Sequence, residues 1–268
     1  MVSLREILQK GHAMQIKTAL ITGASSGFGR AIARRLAAQN YRIIALARRK
    51  ERLLELQHSL GESHCALIAC DMQESKMIEQ NLQQIASERG WNVDVLVNNA
   101  GFALGLQSAD CADLDDWERM ISVNCTALVR LTRLVLPQMV AKQSGTIINI
   151  GSIAGSYPYP GGNVYGATKA FVKQFSLNLR ADLFDKNIRV TNIEPGLAQS
   201  EFSLVRFKGD KEQADSVYAG TQPLLPEDIA EAVAWVLSLP EHVNINRIEL
   251  MPTTQAAAAL NVCRNKGT

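Results

Sequence analysis

Tyr165 and Lys169 stand four residues apart, and Ser152 precedes the tyrosine by thirteen. At this spacing a phenol and an ammonium share one face of a helix. A nearby cation favours the phenolate, so Lys169 is expected to lower the Tyr165 pKa. A phenol tuned in this way can exchange a proton with an alcohol oxygen near neutral pH. Ser152 is expected to hold the same oxygen. Far upstream, Thr22-Gly23-Ala24-Ser25-Ser26-Gly27-Phe28-Gly29 follows an apolar run. Glycines between a strand and a helix N-terminus form a cradle for a dinucleotide pyrophosphate. A proton donor beside such a cradle points to hydride transfer at a carbonyl.

The elements that must position these groups alternate along the chain. Strands are expected at Thr18–Thr22, Arg42–Leu46, Cys65–Cys70, Val93–Val97, Gly145–Ile150, Arg189–Ile193 and Arg247–Met251. Most are nearly continuous apolar runs, as parallel strands buried on both faces require. Helical patterns fill the gaps at Gly29–Gln39, Lys50–Leu60, Glu74–Ser87, Leu114–Lys142, Val164–Phe184 and Pro226–Leu239. Pro226 suits a first helical turn, with Glu227 and Asp228 beside it. The alternation predicts an α/β fold of Rossmann type, a doubly wound, mostly parallel seven-stranded sheet with helices on both faces. Residues 1–15 read as a poorly ordered extension and 16–268 as a single domain. The irregular stretch 196–222 follows the sixth strand, at the end where ligands bind in such sheets, and reads as a substrate lid in preference to a merely variable surface loop.

Composition narrows the function. A formal charge of +2 on 268 residues gives no reason to expect a nucleic-acid or membrane partner. No uncharged apolar stretch approaches the roughly 20 residues that span a bilayer. Cys65, Cys70, Cys111, Cys125 and Cys263 are unclustered and lack accompanying histidines, so neither a CxxC redox pair nor a metal site is expected. They read as reduced cysteines of a cytoplasmic protein.

The cofactor is read from strand ends. Gly23, Ser25, Ser26, Gly27, Phe28 and Gly29 form the expected cradle. An acidic residue about 20 positions on would bind the ribose of NAD. This chain instead has Arg48, Arg49 and Lys50 before Glu51. Cations at a helix N-terminus oppose its dipole, so a task outside the helix is favoured, namely clamping the 2′-phosphate of NADP(H). Asp71, followed by Met72, ends the third strand and suits the adenine amino group or a helix cap. Asn98-Asn99-Ala100-Gly101 suits a bend beside the cofactor, with Asn98, Ala100 and Gly101 as contacts. Asn124, a middling helix former in mid-helix, suggests a polar task near Lys169.

These motifs resemble, in identity and in order, those of the short-chain dehydrogenases/reductases, over nearly the whole chain from about Lys17. The resemblance implies Tyr165 as general acid/base, Ser152 orienting the substrate oxygen, Lys169 on the nicotinamide ribose and Asn124 supporting a proton relay. It implies Pro195-Gly196 beside the nicotinamide, and a homotetramer. Gly161 to Phe171, Glu194-Pro195-Gly196, Val205 to Asp210 and Val243 to Asn246 look like the NADP-dependent 3-hydroxy acid dehydrogenases within that family. Serine, allo-threonine, 3-hydroxypropionate and malonic semialdehyde are then the expected hydroxy and oxo acids. Arg206 is a cation suited to the substrate carboxylate, although a solvated surface arginine reads equally well, and Asn163 is a second partner or merely a helix cap. A reductase of another carbonyl, such as a 3-oxoacyl thioester, stays open. So does a non-catalytic NADP-binding regulator.

Overall fold

The computed structural model describes residues 16–256, so the N-terminal extension and Cys263 lie outside the described residues. Seven strands form one sheet: β1 (Thr18–Thr22), β2 (Arg42–Ala47), β3 (Cys65–Ala69), β4 (Val95–Asn98), β5 (Gly145–Ile150), β6 (Ile188–Pro195) and β7 (Arg247–Leu250). Their order is β3-β2-β1-β4-β5-β6-β7, and every pairing is parallel. The helices are α1 (Gly27–Ala37), α2 (Lys50–Leu60), α3 (Ser75–Arg89), α4 (Leu114–Lys142), α5 (Asn163–Leu183), α6 (Phe202–Arg206), α7 (Lys211–Ser216) and α8 (Pro226–Ser238). The segment 196–222, irregular in sequence, thus contains two short helices.

A sheet with alternate side chains on opposite faces needs cover on both. On one face Ile32 and Leu36 of α1, Leu53 and Leu56 of α2 and Ile229 and Val233 of α8 pack on Ala19 and Ile21. On the other, Ile78 of α3, Leu131, Val135 and Met139 of α4 and Leu179 of α5 pack on Leu20, Leu96 and Ile147. Burying each such Leu or Ile contributes roughly 1.5–3 kcal/mol. Pro226 begins α8, where the Leu225 amide donates to the Asp228 carboxylate at 2.7 Å.

Helix α4 departs from expectation twice. Ser122–Ala127 winds as a π-helix, a widening enriched at functional positions. By length and composition α4 is also apolar enough to cross a membrane, which its interrupting arginines obscured in the sequence. Here 44% of that window is buried inside the fold, with Leu131, Val135 and Met139 against the sheet.

Parallel strands release their following loops at one edge. Strand order reverses between β1 and β4, and there the loops after β1, β4, β5 and β6 splay apart.

Candidate active site

The splayed loops enclose a cleft of about 660 Å3. Thr22 at the end of β1 staples its first two walls. Its hydroxyl accepts from the Asn99 and Ala100 amides at 2.9 and 2.8 Å, and its carbonyl accepts from the Asn99 side chain at 2.8 Å. Gly23 has φ +67°, and a Cβ there would come within 2.8 Å of Asn99 Nδ2. A Cβ at Gly29 would lie 2.4 Å from the Gly23 carbonyl oxygen. Gly29 therefore closes the turn onto itself, while Gly23, Ser25, Ser26, Gly27 and Phe28 line the cleft. The first turn of α1 carries no acidic residue and no side-chain cap, which leaves its N–H groups open to an anion.

Arg48, Arg49, Asp71 and Met72 line the same end. Arg48 is 70% exposed, with only a 3.8 Å pairing to Asp71. Asp71 also accepts from the Gln73 amide at 2.9 Å, a turn ahead of α3, and does not cap that helix, whose N-cap position is Glu74. Arg49 donates to Ser25 at 3.2 Å, to Ser26 at 2.5 Å and to Glu201 at 2.8 Å. Arg52, one turn further along α2, also donates to Glu201. These donors fit the phosphates of NADP(H).

Ser152, Tyr165 and Lys169 meet at the other end of the cleft. Ser152 caps a 3-10 turn, Ile153–Gly155, its hydroxyl accepting from the Ala154 amide at 3.1 Å. A Cβ at Gly155 would lie 2.7 Å from the Lys169 carbonyl carbon, so glycine lets this turn rest on the backbone of α5. Sequence reading passed over Gly155, which bears on the chemistry only through this packing. Lys169 Nζ donates to the Ile150 carbonyl at 2.8 Å and lies 5.9 Å from the centre of the Tyr165 ring.

The electrostatics correct one expectation. Burial pushes the Tyr165 phenol up to about 12 and the Lys169 ammonium down to about 8. Both groups are driven towards their neutral forms because burial penalises charge. The groups that draw the phenol downward are the Ser152 hydroxyl and the Arg206 guanidinium, not Lys169. Buried Cys65 and Cys70 have thiols pushed up to about 12 and about 11, the opposite of an activated thiolate.

Asn124 lies within the π-helix and is fully engaged. It donates to the Phe102 carbonyl at 2.9 Å and to Thr168 at 3.1 Å, and accepts from the Phe102 amide at 3.0 Å. It thereby ties the bend after β4 to α5, one residue from Lys169. Ala100, Gly101, Pro195 and Gly196 line the cleft. Asn98 does not. It turns inward, donating to Thr132 at 3.0 Å and Asn149 at 2.8 Å, because adjacent strand residues face opposite sides and Asn99 takes the cleft side. Asn163 is also outside the cleft, donating to the Gln107 carbonyl at 3.1 Å and accepting from the Val164 amide at 2.8 Å.

Arg206 does reach the cleft. Its guanidinium lies 5.2 Å from the centre of the Tyr165 ring, 5.1 Å from Phe202 and 5.9 Å from Tyr159. It donates to the Tyr159 hydroxyl at 2.8 Å, while its buried Nε has no partner among the described residues. Phe202 packs its ring 5.5 Å from that of Tyr165. Glu201, Phe202 and Arg206 all come from the 196–222 segment. Tyr159, Phe202, Arg52 and Glu201 were not singled out in the sequence, since only the fold brings them to the cleft.

Comparison with known proteins agrees with this geometry. Residues 17–210 match the family model described as short chain dehydrogenase. The NADP-dependent 3-hydroxy acid dehydrogenase YdfG of Escherichia coli K12 is 55% identical over 247 residues, covering 91% of this chain and 98% of that protein. Serine 3-dehydrogenase of Agrobacterium fabrum is 46% identical over 248 residues, covering 92% and 98%. The closed form of a serine dehydrogenase complexed with NADP+ superposes with a TM-score of 0.90 at 54% identity, covering 92% of this chain and all of that one.

Proposed function

Because the chain belongs to the short-chain dehydrogenase family, as an NADP-dependent oxidoreductase acting on CH–OH groups, we propose that its substrates are small 3-hydroxy acids and their 3-oxo acids. Serine, allo-threonine and 3-hydroxypropionate are the proposed alcohols, and malonic semialdehyde is the oxo acid made from the last. The observation that carries the reading is the Arg206 guanidinium, lodged among aromatic rings beside Tyr165 with an Nε that has no partner among the described residues. A partly desolvated cation there favours an anionic substrate, and a fork of N–H donors suits a carboxylate. In a 3-hydroxy acid the carboxylate stands two carbon–carbon bonds from the reacting carbon, so one end can meet Arg206 while the other meets Tyr165.

The bound nicotinamide supplies or accepts hydride. In the reductive direction Tyr165 donates its proton to the substrate oxygen, and in the oxidative direction its phenolate removes the alcohol proton. Ser152 donates a hydrogen bond to that oxygen as negative charge develops, a preorganised contact whose removal typically costs about 10²–10³ in rate. Lys169 and Pro195-Gly196 are proposed to hold the nicotinamide end, and the 2′-phosphate meets Arg48 and Arg49. Phe202 and Arg206 cover the reacting atoms and exclude water, so segment 196–222 serves as the lid.

Comparing kcat/KM for serine, 3-hydroxypropionate and a 3-oxoacyl thioester, each with NADP(H) and NAD(H), tests the assignment. A wide preference for the thioester would overturn it. The proposal extends to a cytoplasmic homotetramer, supported by the exposed Ile121, Phe171 and Phe184 on α4, α5 and the residue after it, with sedimentation as its check.

A further inference from the structure

Glu201 has no part in the chemistry above, yet it makes the longest-range ion pairs at the cleft. It precedes α6 without capping it. Its carboxylate instead crosses the cleft to accept from Arg49 at 2.8 Å and from Arg52, residues 152 and 149 positions away in sequence. The strap carrying it runs over the pyrophosphate cradle, since a Cβ at Gly27 would meet Ser200 Cβ at 3.4 Å. Arg49 holds Ser25 and Ser26 of the cradle with its other donors. Two walls of the cofactor channel and the strap above them thus converge on one guanidinium.

The far end of the same segment is fastened separately. Lys208 Nζ lies 2.7 Å from Asp116, and the Arg206 carbonyl accepts from the Gly105 amide at 3.0 Å. A dinucleotide in the channel lies beneath a strap tied at both ends. The Glu201 tie is the one at the phosphate end, where two ion pairs bridge the strap to Arg49 and Arg52 at the start of α2.

We infer that Glu201 is a cofactor-retention residue, which latches the strap to Arg49 and Arg52 and must release them before NADP(H) can leave. The latch rests on the NADP(H) dependence of this site and not on the choice of acid.

The test is displacement of bound NADPH by excess NADP+ in the full chain, followed by the loss of nicotinamide fluorescence in a stopped-flow instrument with no substrate present. Half-exposed, charge-assisted pairs of this kind predict a release rate about three- to tenfold faster in Glu201→Gln. Arg52→Gln keeps the Arg49 pair and should fall between the wild type and Glu201→Gln, and the double variant should be no faster than Glu201→Gln, which already removes both pairs. Raising salt should speed release more in the wild type than in Glu201→Gln, where only the cofactor's own phosphate contacts remain to be screened. Unchanged release in Glu201→Gln would overturn the latch. Slower release would overturn it too, and would show Glu201 competing with the 2′-phosphate for Arg49. Since the measurement contains no hydroxy acid, a failed substrate assignment would leave its outcome intact.

Discussion

Replacing Arg206 with Gln tests the substrate assignment and the electrostatics together. The guanidinium is half-buried against three rings and has a donor without a partner, so a carboxylate arriving there gains charge-assisted hydrogen bonds. Such bonds contribute about 1.5–3 kcal/mol each, and one of them lost predicts kcat/KM for 3-hydroxypropionate falling about 10- to 150-fold. The neutral 3-hydroxypropionamide has no such contact and should lose far less. A second effect follows from the position of Arg206 beside the phenol. The cation draws the Tyr165 pKa down. Oxidation requires the phenolate, so its rate rises with pH through that pKa. Removing the cation raises the pKa, and the rising limb of kcat/KM should move to higher pH. Steady-state kinetics with both substrates, carried upward in pH through the Tyr165 pKa of about 12, reads both effects. Equal losses on the charged and neutral substrates, with the limb unmoved, would refute the reasoning and leave Arg206 a packing residue of the lid.

Tyr165→Phe should abolish measurable turnover while NADPH still binds in a fluorescence titration, and Ser152→Ala should lower kcat by about 10²–10³. Arg48→Ala should weaken NADPH by about tenfold or more with little effect on NADH, seen as a changed ratio of the two KM values. Asn98→Leu should cost about 1–3 kcal/mol in urea unfolding, because Thr132 and Asn149 lose their buried partner, while KM for NADPH stays the same. Lys169→Met should stabilise the fold at pH 7. Burial lowers the Lys169 pKa from its ordinary 10.5 to about 8, a difference worth at most about 3 kcal/mol. With the folded pKa below the unfolded one, the native wild type gains stability as pH rises from about 8 to 10.5. The advantage of the variant in thermal melts should therefore shrink over that interval.

What could be read in the sequence was set by burial and by strand ends. β1 and β5 show as apolar runs because both faces of a parallel sheet are covered, and their ends locate Gly23 and Ser152 without further help. One position of uncertainty at a strand end is enough to reverse a side chain. β4 was expected to end at Val97 and in fact includes Asn98, and period-two alternation then sends Asn98 to the core and Asn99 to the cleft. The π-helix around Asn124 left a single trace, an amide where helices seldom place one, since hydrophobic periodicity records which face is buried and not how the backbone is bonded. Glu201 gave no trace at all. Its significance depends on Arg49 and Arg52 being brought to it across the cleft, and no local pattern records a pairing at that separation.

The electrostatics of the catalytic pair follow from the same limit. An i,i+4 spacing establishes that Tyr165 and Lys169 share a helical face, but the sign of their pKa shifts depends on what covers that face. Here the covering is α5 packed beneath the Ser152 turn, with Phe202 closing over the ring. In this setting desolvation is the largest cause of both shifts, and Lys169 donates its hydrogen bond to the Ile150 carbonyl. A phenol held near 12 is a competent proton donor at neutral pH and a poor base. The Ser152 hydroxyl and the Arg206 guanidinium, which approach from the cleft, already draw it down against the larger effect of burial. Arg206 arrives on segment 196–222, so the position of that segment bears on the basicity of Tyr165. As the proposed lid, that segment would be tied through its cation to the proton chemistry and not only to the exclusion of water.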